Sequence, residues 1–76
     1  ESANAVKLRV DNETKQRITV SWIGFDGLRR EYGLTDPTRR FDQNTFEGHL
    51  WVVTDEKGKD LGWFATPAED CRVVVK

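Results

Sequence analysis

Gly48-His49-Leu50-Trp51-Val52-Val53 is the stretch whose reading decides the fold. Side chains alternate in an extended segment, so Leu50 and Val52 share one face and His49, Trp51 and Val53 the other. If Leu50 and Val52 line the core, an imidazole and an indole stand together at the surface. That pairs a flat apolar platform with a group that gives or accepts a hydrogen bond near neutral pH. In the converse arrangement Trp51 is core and His49 points at water. Alternation alone leaves both open.

Outward from this segment the chain repeats the pattern. Val6 to Val10 alternates and runs into the turn-like Asp11-Asn12-Glu13, and Ile18 to Trp22 puts Ile18, Val20 and Trp22 on one face. Asp26-Gly27 is a strong hairpin-turn signal. A less regular stretch with Tyr32 and Leu34 leads to the turn at Asp36-Pro37. Thr38 to Phe41 is expected to form a short strand, and His49 to Thr54 the most regular one. Asp55 to Lys59 reads as a polar hairpin loop, followed by strands at Leu61 to Ala65 and Cys71 to Val75. Thr66-Pro67-Ala68-Glu69 carries the signature of a single helical turn, with Thr66 as N-cap and Pro67 at the first helical position. No amphipathic helix of ordinary length is present. Short alternating segments divided by turns predict an all-β fold, a sandwich of about seven strands in one domain spanning residues 1–76.

Composition narrows the function. The 76 residues carry 12 basic and 13 acidic side chains, a net charge of −1. Such a balance argues against a nucleic-acid partner, which calls for a basic face. The pairs Arg29-Arg30 and Arg39-Arg40 have Asp26, Glu31, Asp36 and Asp42 close by in sequence and read as solvated turns. No apolar run is long enough to cross a bilayer, so no membrane partner is expected. The chain has no methionine, and is expected to be a processed mature protein or a domain cut from a longer one. The one cysteine, Cys71, excludes an internal disulfide and alternates with Val73 and Val75 as a small buried hydrophobe. Asn12-Glu13-Thr14 is a glycosylation sequon of a kind that arises often by chance.

Catalysis finds little support. One histidine and one cysteine leave few nucleophile–base pairings, and neither Gly-x-Ser-x-Gly, a phosphate-cradling glycine loop nor a metal-ligand spacing occurs. The chain is read as a non-enzyme with no cofactor and no metal. Three tryptophans in so short a chain point to binding. Trp63 and Phe64 must face opposite ways, so one of them is expected at the surface or a rim.

Trp22-Ile23-Gly24-Phe25-Asp26-Gly27, Tyr32, and Thr45-Phe46-Glu47-Gly48-His49-Leu50-Trp51 together resemble the β domain of the von Hippel-Lindau family. The spacing is the specific part: a tyrosine five residues after the glycine of Phe-Asp-Gly, then Gly-His-Leu-Trp beginning sixteen residues after that tyrosine. The likeness runs from about Val10 to Val53 and less strongly on to Val75.

The resemblance implies a β-sandwich that recognises 4-hydroxyproline in an extended peptide, so the expected partner is a hydroxyproline-containing peptide or protein. His49 matches the family histidine that bonds the 4-hydroxyl group, and Thr45 stands where the family has a serine. Trp51 matches the tryptophan forming the pocket floor, Trp22 a wall tryptophan, and Tyr32 the tyrosine that contacts the peptide carbonyl. Asn12 matches a structural asparagine. Phe46 replaces a tyrosine, and Asn44 replaces a histidine that contacts the peptide backbone, so these two bear on the flanking peptide. Paired polar groups reject an unhydroxylated proline because they would be left desolvated without partners, a discrimination that reaches roughly 10⁴ where they are well buried. The family's helical domain, which recruits a ubiquitin ligase through an elongin, has no counterpart here, so no such recruitment is expected. The alternative function is a structural or carbohydrate-binding β-sandwich module of a larger protein.

Overall fold

The computed structural model describes residues 4–76. Seven strands occupy them: β1 (Ala5–Asn12), β2 (Ile18–Ile23), β3 (Arg29–Thr35), β4 (Arg40–Phe46), β5 (Leu50–Thr54), β6 (Asp60–Ala65) and β7 (Cys71–Val75). They form a three-stranded sheet, β4-β1-β7, and a four-stranded sheet, β3-β2-β5-β6, in a β-sandwich-like arrangement. Every pairing is antiparallel except that of β1 with β7.

The core lies between the sheets. Leu8, Val10 and Val75 meet Ile18, Val20, Trp51 and Val53, with Trp22, Phe41, Phe64, Cys71 and Val73 packed around them. These are the alternate positions of their strands, as the period-two pattern requires. Cys71 is half-buried rather than enclosed, and burial together with the neighbouring Asp70 pushes its thiol pKa up. On the outer face of the three-stranded sheet the charges interleave across strands, with Arg9 on Asp42 at 3.0 Å and Arg72 on Asp11.

Three expectations are corrected. The strand expected at Thr38 to Phe41 starts later and runs further, because its inward positions after Phe41 are Gln43 and Thr45 and carry no apolar signal. The irregular stretch around Tyr32 is a full strand: Val20 pairs with Gly33 and Ser21 with Glu31, so Tyr32 is an extra residue, a β-bulge. No helical turn forms at Thr66 to Glu69; the buried Thr66 hydroxyl donates to the His49 carbonyl at 3.1 Å instead of capping.

The sequon asparagine is 1% exposed. Asn12 Nδ2 donates to the carbonyls of Gln16 and Thr35 at 2.8 and 2.9 Å, and Oδ1 accepts the Thr14 N–H and hydroxyl at 2.9 and 2.6 Å. Its amide therefore closes the β1–β2 connection and ties it to the end of β3.

From Trp51 to Thr54 both faces of β5 are buried. Trp51 and Val53 point to the core, while Val52 on the opposite face is also fully buried. On β6, Trp63 is Val52's register partner. Arg29 Cζ lies 5.2 Å from the Trp63 ring centroid, and its guanidinium donates to both oxygens of Asp60 at 2.8 Å. This clasp joins the two edge strands, β3 and β6, of the larger sheet.

Candidate functional site

The site begins at the turn between β4 and β5. Gly48 takes φ of 85°, a left-handed conformation that glycine adopts without steric cost, and the chain reverses there. The reversal brings Thr45 Oγ1 to 3.3 Å from His49 Nδ1. The His49 backbone is held on both sides: its N–H donates to the Phe46 carbonyl at 3.2 Å, and its carbonyl accepts the Thr66 N–H at 2.9 Å. Thr45 is 5% exposed and His49 half-buried, so their contact sits at the boundary between core and solvent.

Aromatic rings close around this pair. The His49 ring centroid lies 5.3 Å from Trp22, 5.5 Å from Phe46 and 5.7 Å from Phe25. Trp22 also meets Phe25 at 5.8 Å and Tyr32 at 6.3 Å, both nearly edge-on. Trp22 and Trp51 are direct partners across β2 and β5, and Tyr32 stands edge-on to Trp51 at 5.4 Å. The bulge at Tyr32 is what places its ring there: it breaks the alternation that governs the rest of β3.

The sequence-predicted residues divide into three groups. Trp22, Tyr32, Thr45, His49 and Phe46 come together. Trp51 adjoins them but is 1% exposed, which corrects its reading as an open platform: the indole is core, and Tyr32 packs against it. The converse arrangement of β5 holds for Trp51, with Leu50 38% exposed, but His49 is half-buried against Trp22 rather than pointing at water. Asn44 stands apart from the rings. Side chains alternate along β4, so it faces outward, opposite Lys7, where Thr45 faces inward. Phe46 also points outward by alternation but reaches His49 because it ends the strand.

Phe25 was not among the expected site residues. It is 91% exposed in the β2–β3 turn yet within ring contact of both Trp22 and His49. The Asp26-Gly27 hairpin signal was the clue, since a tight turn there folds Phe25 back toward the end of β2.

Chemically, the arrangement offers a fixed hydroxyl–imidazole pair inside an apolar rim. If the Thr45 hydroxyl donates to Nδ1, the outer nitrogen Nε2 carries the proton and donates; in the other tautomer the roles reverse. Either way the pair presents one donor and one acceptor capacity to a ligand hydroxyl. The indole nitrogens of Trp22 and Trp51 are buried with no hydrogen-bond partner. Among the described residues no group of three or more His, Cys, Asp or Glu side chains is placed to hold a metal ion, and no helix is long and apolar enough to cross a membrane. Concavities lie elsewhere as well: a cleft of about 570 Å³ beside Lys7, Arg9, Asn44 and Arg72, one of about 460 Å³ beside Asp11, Thr38 and Arg40, and a slot of about 280 Å³ between β6 and β7. No protein-family model matches the chain, and no curated protein matches it by sequence.

Proposed function

We propose that this chain is a peptide-recognition module, a von Hippel-Lindau-type β domain that binds 4-hydroxyproline in an extended peptide. One observation carries the reading. The Thr45 hydroxyl and the His49 imidazole, 3.3 Å apart, form the polar centre of a ring of Trp22, Phe25 and Phe46, with Tyr32 beyond Trp22. A pyrrolidine ring suits such a rim, and its 4-hydroxyl suits the pair at the centre. Trp51 serves from beneath, as the support on which Tyr32 rests.

β4 adds a second reason. It is the edge of its sheet, a side on which a strand can be added, with the Asn44 and Phe46 carbonyls already accepting Gln43 Nε2 and the His49 N–H. A peptide laid along that edge passes Asn44 on the outer face and Phe46 at the strand end, which makes them flanking contacts.

A carbohydrate-binding reading would rest on Trp63, whose indole is 50% exposed. The Arg29 guanidinium already lies against that ring. The aromatic cluster around His49 is the better-built site.

Calorimetric titration with paired peptides, identical but for the 4-hydroxyl group, tests the proposal. Binding of the hydroxylated peptide alone supports it; equal binding of both, or of neither, overturns it.

A further inference from the structure

The rings around His49 rest on a second layer of side chains in the β2–β3 hairpin. Arg30 is the register partner of Trp22, and its Cζ lies 5.6 Å from the indole centroid. Its Nη1 and Nη2 donate to Oδ1 and Oδ2 of Asp26 at 3.2 and 2.8 Å. Asp26 Oδ1 also accepts the Leu28 N–H at 3.1 Å, in a turn closed by the Gly24 N–H on the Leu28 carbonyl at 2.9 Å. Gly24 belongs to the device: a Cβ there would overlap the Arg30 guanidinium and crowd the Asp26 carboxylate.

The sequence of causes runs from turn to site. The tight hairpin fixes Asp26, and the two-point ion pair fixes the plane of the Arg30 guanidinium. A guanidinium held in place over an indole attracts it and limits its rotamers. The same indole lies 5.3 Å from the His49 ring, tilted by 31°. Trp22 is thus bounded by a cation and an imidazole, and the imidazole by Trp22 and Thr45.

We infer that Arg30, locked by Asp26, is a positioning residue of this site: it holds Trp22 against His49 and thereby sets the direction of the imidazole's outer nitrogen. The effect on His49 needs no ligand. Its consequence for binding rests on the hydroxyproline reading.

The test compares wild type with Arg30→Gln, Arg30→Lys and Asp26→Asn. The His49 ring and Trp22 indole resonances are followed by NMR, the global fold by the remaining backbone amides, and binding by titration with a 4-hydroxyproline peptide. In Arg30→Gln and Asp26→Asn the His49 and Trp22 signals should move while β1 and β7 amides stay in place. Affinity for the hydroxylated peptide should fall about 2- to 5-fold, the range of an exposed cation–π contact. Arg30→Lys should fall between, because lysine keeps the charge but not the planar two-point pairing. Unmoved His49 and Trp22 signals in both Arg30→Gln and Asp26→Asn overturn the inference whatever the peptide does. Shifted signals in a protein whose wild type ignores the peptide support the positioning role and overturn the hydroxyproline reading.

Discussion

Tyr32 stands edge-on against Trp51, their ring centroids 5.4 Å apart and their planes at 78°, on a residue that the β2–β3 register skips. The bulge thus turns an edge-strand side chain into a cover for the largest side chain of the core. Trp51→Ala should cost about 3–5 kcal/mol, as a large core deletion does. Tyr32→Ala should cost only about 0.5–1.5 kcal/mol, the worth of an aromatic pair beyond its burial, while opening the Trp51 indole to water. Urea denaturation measures the first pair of values. A red shift in tryptophan emission reports the second effect, and unchanged emission in Tyr32→Ala would mean that Tyr32 is not the cover.

Asn12 is a buried amide that bonds the Thr35 carbonyl and the Thr14 N–H, and shares the Gln16 carbonyl with the Thr14 hydroxyl. Asn12→Ala should destabilise by about 1–3 kcal/mol, because the Thr35 carbonyl and the Thr14 N–H lose the partner that Asn12 gives them. Asn12→Asp should not restore stability, since a carboxylate cannot donate to the Gln16 and Thr35 carbonyls. Full stability in Asn12→Asp, read by chemical denaturation, would contradict this account of the β1–β2 connection.

Gly33 lies beneath the Phe41 ring, and a Cβ on it would overlap that ring. Gly33→Ala should therefore cost about 1–3 kcal/mol by overpacking. Adding Phe41→Leu should recover part of the loss. Thermal melts of the single and double variants decide it: additive losses would show that the two side chains do not compete for the same space.

The Asp26 carboxyl is lowered from 3.8 to about 2, first by the Arg30 hydrogen bonds and then by the Leu28 N–H. Its folded value lies below its unfolded one, so the stabilisation is complete above about 3.8 and is lost as pH falls through about 2. Carboxyl ¹³C titration should show a midpoint near 2 in wild type and one closer to 3.8 in Arg30→Gln. A wild-type midpoint at the ordinary aspartate value would show that the ion pair does not persist in solution.

The strands that the sequence makes legible are those whose inward residues are apolar. Cys71–Val75 coincides with β7, and Ile18, Val20 and Trp22 share the inward face as their alternation requires. β4 hides because Gln43 and Thr45 occupy inward positions, and β3 because the Tyr32 bulge breaks its period. Val52 looks like a core residue and is buried, yet on the outer side, beside its β6 partner Trp63. The candidate site is legible in Thr45, His49, Trp22 and Tyr32 only through their spacing. Phe25 and the Asp26–Arg30 pair escape because an exposed ring and a charged turn look like ordinary surface until the hairpin closes on Trp22.

The central claim is that Thr45 and His49 together read a hydroxyl group on a proline ring. The most direct measurement is the ratio of affinities for hydroxylated and unhydroxylated peptides, taken by calorimetry in wild type and in Thr45→Val. Each buried polar group left unpartnered costs about 1–3 kcal/mol, so two of them predict a wild-type ratio of about 30 or more. Thr45→Val keeps the shape and removes the hydroxyl, and should cut that ratio by about 5-fold or more, in part by raising the unhydroxylated peptide's affinity, since one fewer polar group is left unpartnered. A wild-type ratio near one, or a ratio that Thr45→Val does not alter, would contradict the claim.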